Sequence, residues 1–339
     1  MPQGRAKRGK ARAFPRYARD TMSEIAVIGE AVADAFLPGE PDAGEALRME
    51  VRPGGGPANT AVALARLGTS ARFLGRLGHG PFGRLLRRHL LASGVELDAV
   101  DAAEEATLAV AAIDRDGQAA YEFYARGTAD WQWTREELAE REPRVAAVHT
   151  GSLALAMEPG GPFIEELLER LRGQAAISID PNVRPGIVAP EVYRARVARW
   201  TRLADIVRLS EEDLAVLAPG VPVAETCDAW HADGVRLVVV TRGGDGALGS
   251  LDGERVEVPA VAVKAVDTVG AGDAFMAGLL HWLNRQGALG LELTPDGVRT
   301  ALTFASHIAA ETCRVPGADP PWADALSPRV LELLSAGHR

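Results

Sequence analysis

Short apolar runs alternate along the chain with longer stretches in which apolar residues recur every three or four positions. Ile25–Gly29, Arg72–Leu77, Val145–Thr150, Ala176–Asp180, Asp205–Leu209 and Leu237–Thr241 are compact runs that predict buried strands. Pro57–Leu67, Phe82–Ala92, Pro162–Arg172, Glu191–Leu203 and the stretches 271–285 and 297–312 carry helical spacing. The first two stop at Gly68 and near Gly94, as helices do at residues that accept a left-handed backbone. Strands that alternate with helices predict a mostly parallel sheet covered on both faces.

Two stretches break the rhythm. Ala31–Val51 is irregular and contains Pro and Gly, and Ala106–Arg126 reads as two strands, Thr107–Asp114 and Ala119–Tyr124. The turn between them, Arg115-Asp116-Gly117, carries the Asp-Gly step of a hairpin. Antiparallel strands inserted in a parallel α/β chain predict a small separate sheet, built from about 31–51 and 106–126, that could act as a lid. Its exposed edges could pair across a homodimer.

Composition narrows the class. The chain has 339 residues, 47% of them hydrophobic, with a net charge of -9. That suits a globular α/β protein and argues against disorder, and the acidity disfavours nucleic acid as a partner. No run of about 18 uncharged apolar residues is present, so no membrane span is expected. Residues 1–20 hold Arg5, Lys7, Arg8, Lys10, Arg12, Arg16 and Arg19 against Asp20 alone. Without an apolar core this is not a secretory signal. We read residues 1–21 as a disordered basic tail, or else a docking arm for an acidic partner, and 22–335 as the folded domain. Cys227 and Cys313 are too few and too far apart for a disulfide framework or a metal site, and fit a reducing cytoplasm.

The sharpest chemical signal is Asp267-Thr268-Val269-Gly270-Ala271-Gly272-Asp273-Ala274-Phe275. Its glycines allow a tight turn, and the apolar spacing that follows starts a helix. The first amides of a helix lack acceptors and bind anions. Asp273, in the first turn, can take a proton from an attacking hydroxyl. A second signal, Arg52-Pro53-Gly54-Gly55-Gly56-Pro57-Ala58-Asn59, puts bare backbone before a helix, with Asn59 able to donate and accept. Three strand ends follow. Asp180-Pro181-Asn182-Val183-Arg184 is a polar site candidate or an ordinary turn. Ser210-Glu211-Glu212-Asp213 could hold Mg²⁺ through water, or be a helix start capped by Ser210. Thr241-Arg242-Gly243-Gly244-Asp245-Gly246 could hold a nucleotide, or simply join two strands. No Walker-type phosphate loop, protein-kinase signature or zinc spacing is present.

The order of these motifs, from about Glu24 to Leu334, resembles the ribokinase-like, phosphofructokinase-B family of sugar kinases. The resemblance implies a three-layer α/β/α sandwich with a small β-sheet lid, and implies ATP, Mg²⁺ and a stimulating K⁺. It implies Asp273 as base and the amides of Gly270, Ala271 and Gly272 as an anion hole. Asp34, Gly54, Gly55 and Asn59 would hold the sugar. Asn182, Ser210, Thr241, Gly243, Gly246 and Ser306 would lie along the nucleotide, with Gly317 near the monovalent-ion loop. Glu212 and Asp213 would serve Mg²⁺ through water, and Asp267 the K⁺. Gly29-Glu30 with Asp34, the 180–184 and 209–212 segments, and Cys313–Pro321 look like fructokinases. Tyr124 and Arg126 resemble a lid-side pair of 2-keto-3-deoxygluconate kinases. Fructose is therefore the expected substrate, 2-keto-3-deoxygluconate the second and ribose or a nucleoside the third. Two departures stand out. Gly78–Gly83 lacks the family's acids, and Ser210–Asp213 replaces its Asn-x-x-Glu. A non-catalytic sugar or nucleotide sensor on this fold would be expected to have lost the base or its glycines, which are intact.

Overall fold

A computed structural model describes residues 24–37, 46–113 and 119–335. The expected tail at 1–21 and the Arg115–Gly117 turn lie outside these residues. The chain forms thirteen strands and eleven α-helices among the described residues. The strands are β1 (Ile25–Ile28), β2 (Val32–Leu37), β3 (Glu50–Gly54), β4 (Ala71–Gly78), β5 (Glu96–Ala102), β6 (Leu108–Ile113), β7 (Ala119–Tyr124), β8 (Ala147–Gly151), β9 (Ala176–Asp180), β10 (Ile206–Ser210), β11 (Leu237–Thr241), β12 (Ala247–Leu251) and β13 (Glu254–Val258). The helices are α1 (Gly56–Arg66), α2 (Pro81–Ala92), α3 (Arg135–Glu140), α4 (Ser152–Ala156), α5 (Gly160–Leu171), α6 (Pro190–Leu203), α7 (Glu211–Leu217), α8 (Val223–Asp233), α9 (Ala271–Arg285), α10 (Pro295–Thr312) and α11 (Pro328–Glu332).

Nine strands make the central sheet in the order β13-β12-β11-β10-β9-β8-β1-β4-β5. It is parallel from β5 to β11, and β12 and β13 add antiparallel at one edge. Because side chains alternate across a strand, β1 sends Ile25 and Val27 into one core and Ala26 and Ile28 into the other. The first core is closed by α1, α2, α9 and α10, and the second by α3 to α8. These are the three layers that the apolar runs predict. The chain winds from β1 through β4 to β5 on one side, then from β8 towards β11 on the other. The crevice between β1 and β8 is thus a topological switch point, where open α/β sheets bind ligands.

The two irregular stretches form a second sheet of order β3-β2-β6-β7. In it β2 and β6 are parallel, and β3 and β7 flank them antiparallel. Asp130, 1% exposed, anchors both inner strands where they leave the main body. Its carboxylate accepts from the Ala31 amide (3.0 Å), the Thr107 amide (3.2 Å) and the Thr107 hydroxyl (2.7 Å).

Candidate active site

Gly270 adopts a left-handed backbone, φ 75°, and α9 starts at the next residue. An alanine there would meet Ala318 as well as strain the backbone, which explains the glycine. The Ala271 amide turns back to the Thr268 carbonyl (3.2 Å), so of the three expected anion-hole amides this one has an internal partner. The Gly272 and Asp273 amides that follow precede the first i−4 bond of the helix, which runs from the Ala274 amide to the Gly270 carbonyl (2.9 Å). They sit beside the Asp273 side chain, whose carboxyl faces a cavity of about 530 Å³ between the two sheets.

The opposite wall comes from the beginning of the chain. Asn59, buried on α1, donates from Nδ2 to Asp273 Oδ2 at 2.8 Å. A Cβ on Gly56 would lie 2.8 Å from Asn182 Nδ2 and 3.2 Å from Asp273 Oδ1, so three segments converge here and any side chain would push the site's polar groups aside. Gly55, φ 96°, packs against the Glu30 carbonyl and the Val32 amide. A Cβ on Gly54 would strike the Asp34 carboxylate, so Gly54 makes room for Asp34 rather than lining the cavity itself.

Three carboxyls here are displaced upward. Asp273 is raised to about 6, chiefly by removal from water, against the Asn59 hydrogen bond that favours its charged form. Asp34 is raised to about 7 by the same desolvation and by the neighbouring Asp273. Glu30, 2% exposed, is also raised to about 7 by burial, and it accepts from the Ala154 amide at 3.1 Å. A carboxyl near 6, within reach of a bound hydroxyl, is suited to general-base work near neutral pH.

The other expected residues fall into groups. Asn182 lines the cavity and holds φ 40°, its amide donating to Asp180 Oδ1 at 3.1 Å. Ser210 and Thr241 end adjacent parallel strands in register. Gly243 and Gly246 belong to the connection from β11 to β12, so this segment does join two strands. Ser306 is buried on α10. Asp213, expected to serve Mg²⁺ through water, is engaged within the protein. It completes a capping box with Ser210, and its carboxylate also accepts from the Val183 amide at 2.9 Å, so both oxygens serve the protein. Glu212 beside it is exposed. Asp267 ties two loops together, accepting from the Val269 amide (3.0 Å) and the Gly317 amide (2.8 Å). No group of three or more metal-ligating side chains occurs among the described residues.

Tyr124 and Arg126 are exposed and do not line the cavity. Strand alternation is the reason: on β7 it is Phe123 that faces inward, so Tyr124 faces out. The cation at the cavity is Arg184, from the loop after β9. Sequence reading also missed Ser152, Phe36 and Arg208. Arg208 had a signal, a charged residue in the middle of the apolar run Ile206–Leu209.

The sequence profile described as pfkB family carbohydrate kinase matches residues 22–325. A fructokinase of Klebsiella pneumoniae is 37% identical over 272 residues, covering 78% of this chain and 85% of its own. A fructokinase of Rhizobium leguminosarum bv. trifolii is 36% identical over 267 residues, covering 78% and 81%. Among solved structures, Xylella fastidiosa fructokinase with bound ATP superposes with a TM-score of 0.82 at 26% identity, covering 94% of this chain and 99% of that one. Vibrio cholerae fructokinase in its fructose-, ADP- and calcium-bound form gives 0.76 at 30%, covering 93% and 100%.

Proposed function

The chain belongs to the pfkB family of carbohydrate kinases, and from that membership we propose that it phosphorylates a hydroxymethyl group of fructose with ATP. It is a phosphotransferase acting on a sugar alcohol group. The observation that carries the residue-level reading is Asp273, held by Asn59 at the first turn of α9 and open to the cavity beside Asp34.

In this reading the sugar lies against Asp34, Asn59 and Arg184. Its hydroxyl oxygen forms a bond to the γ-phosphorus as the bond to the bridging oxygen of ATP breaks. The hydroxyl proton passes to Asp273, and ADP leaves. Amides at the α9 N-terminus take up the charge on the transferring group, so the protein supplies mainly position and electrostatics. The free amides and glycine turn fit a phosphate chain, and Asn182, Ser210, Thr241, Gly243, Gly246 and Ser306 would flank the rest of the nucleotide. Mg²⁺ would arrive with the nucleotide phosphates, and Glu212 and Asp213 would meet it through water. When bound, Mg²⁺ would supply neutralisation of phosphate charge during the transfer. K⁺ would sit near the loops that Asp267 and Gly317 join, and a Vibrio cholerae fructokinase double mutant has been solved in a potassium-bound form.

The second sheet would close over the sugar and exclude water, which otherwise competes for the phosphoryl group. Its edge strands β3 and β7 suggest a homodimer, which light scattering would test. The two free cysteines and the need for ATP favour the cytoplasm. The functional test is ADP release from MgATP with fructose, 2-keto-3-deoxygluconate, ribose and adenosine, with and without K⁺. Turnover with fructose well above the others supports the proposal. Preference for another sugar would replace fructose, and no turnover on any would argue for a sensor.

A further inference from the structure

Arg208 is a buried charge beside the site that the transfer chemistry itself does not require. It sits mid-strand on β10, 6% exposed, with its guanidinium behind the first turn of α9. Nη1 donates to Asp180 Oδ2 at 2.8 Å, and Nη2 donates to Thr241 Oγ1 at 2.6 Å. Its third nitrogen, Nε, is buried with no hydrogen-bond partner among the described residues. The guanidinium carbon lies 5.7 Å from the centre of the Phe275 ring, a cation–π distance. A Cβ on Gly272 would lie 2.6 Å from Nη1 and 3.0 Å from Nη2. Gly272 and Phe275 stand three apart and so share one helix face. That face of the glycine turn meets a cation of the protein itself.

Stability gives a weak reason for such an arrangement. Replacing a buried ion pair with apolar residues is often neutral or stabilising. Placement gives a better one, because one guanidinium touches the ends of β9 and β11 and the helix that carries the base. Resting on the kinase reading above, we propose that Arg208 is a positioning residue for phosphoryl transfer. It braces the glycine turn against β9 and β11, and it holds a fixed positive charge behind the amides that receive the transferring group. It touches neither substrate. It acts through Gly272, Thr241 and Asp273.

The charged and polar groups that face Asp273 are Asn59, Asp34, Asp180, Arg184 and Arg208. Asp180 and Arg208 pull the Asp273 titration in opposite directions, Asp180 upward and Arg208 downward. That opposition supplies a test with a sign. The experiment measures kcat, KM for fructose and the pH profile for the full chain and for Arg208→Gln, Arg208→Lys and Asp180→Asn, with thermal melting as the fold control. Arg208→Gln should lower kcat about 10- to 100-fold while fructose KM changes little. Its acid limb should move to higher pH. Arg208→Lys, which keeps the charge, should leave the limb in place and retain more kcat than Gln. Asp180→Asn should move the limb to lower pH, and it decides the matter even where the Gln variant fails to fold. Gln and Lys falling equally with unmoved limbs, or an Asp180→Asn limb that stays put or rises, would reduce Arg208 to a structural role. A wild-type chain that turns over no sugar would sink the kinase reading itself, and this inference with it.

Discussion

Asn59 and Asp273 are 214 residues apart in sequence and joined by a 2.8 Å hydrogen bond from Nδ2 to Oδ2. This bond favours the charged carboxylate. Asn59→Ala should therefore raise the Asp273 titration and move the acid limb of kcat/KM to higher pH. Loss of the oriented donor should also lower kcat about 10-fold or more. A pH-rate profile with an unmoved limb would separate Asn59 from the base.

Asp273→Asn removes the proton acceptor while keeping the shape. Activity should fall by ~10²- to 10⁴-fold, the range for a positioned base. The wild-type limb should sit near pH 6, because the base works only when deprotonated and its value is raised to about 6. ADP release across pH 5 to 9 checks both. Residual activity above a tenth of wild type in the variant would give the base role to another group.

Asp34 predicts a conflict between activity and stability. Its folded value, about 7, exceeds its ordinary value of 3.8, so the folded chain binds the extra proton between those limits. Stability then falls as pH rises through that window, and the burden of a buried charge is complete above about 7. Asp34→Asn should raise the melting temperature at pH 8, with little change near pH 4, while it weakens sugar binding. Calorimetry at the two pH values, beside the fructose KM, measures this. Equal shifts at both pH values would contradict the titration argument.

Asp130 predicts a purely structural effect with a functional echo. Asp130→Ala strands the Ala31 and Thr107 amides and the Thr107 hydroxyl without their buried acceptor. Each such loss costs roughly 1–3 kcal/mol, so the variant should unfold at lower urea and hydrolyse more ATP without sugar. An unchanged urea midpoint would show that the second sheet holds its place by other means.

The central layers were legible because each strand is a short apolar run and each helix keeps its spacing. Helix α9 follows a glycine turn, and its expected range agrees with the structure. Other elements were less legible. Helix α7 was open between a metal site and a capped start, since Ser210 and Asp213 suit both. The structure shows the cap. Strand β5, Glu96–Ala102, was missed because acids interrupt its apolar residues and most of its positions are only half-buried. Tyr124 and Arg126 drew attention as residue types, but which face of β7 Tyr124 occupies depends on register, where one position decides it, and Arg126 lies just past the strand. Arg208 needs the fold itself, because Asp180, Thr241 and Gly272 meet it only in three dimensions.

The Asn59–Asp273 contact also bears on how the protein is made. Helix α1 emerges early from the ribosome and α9 late, yet the two pack together and share the reactive carboxyl. Through most of synthesis the nascent chain can assemble the early strands but not the base, so it cannot consume ATP. Chain termination anywhere before α9 leaves part of the buried face of α1 uncovered and the site without its base. Catalytic competence thus arrives in one step, and prematurely ended chains should fail as folded proteins rather than persist as slow enzymes.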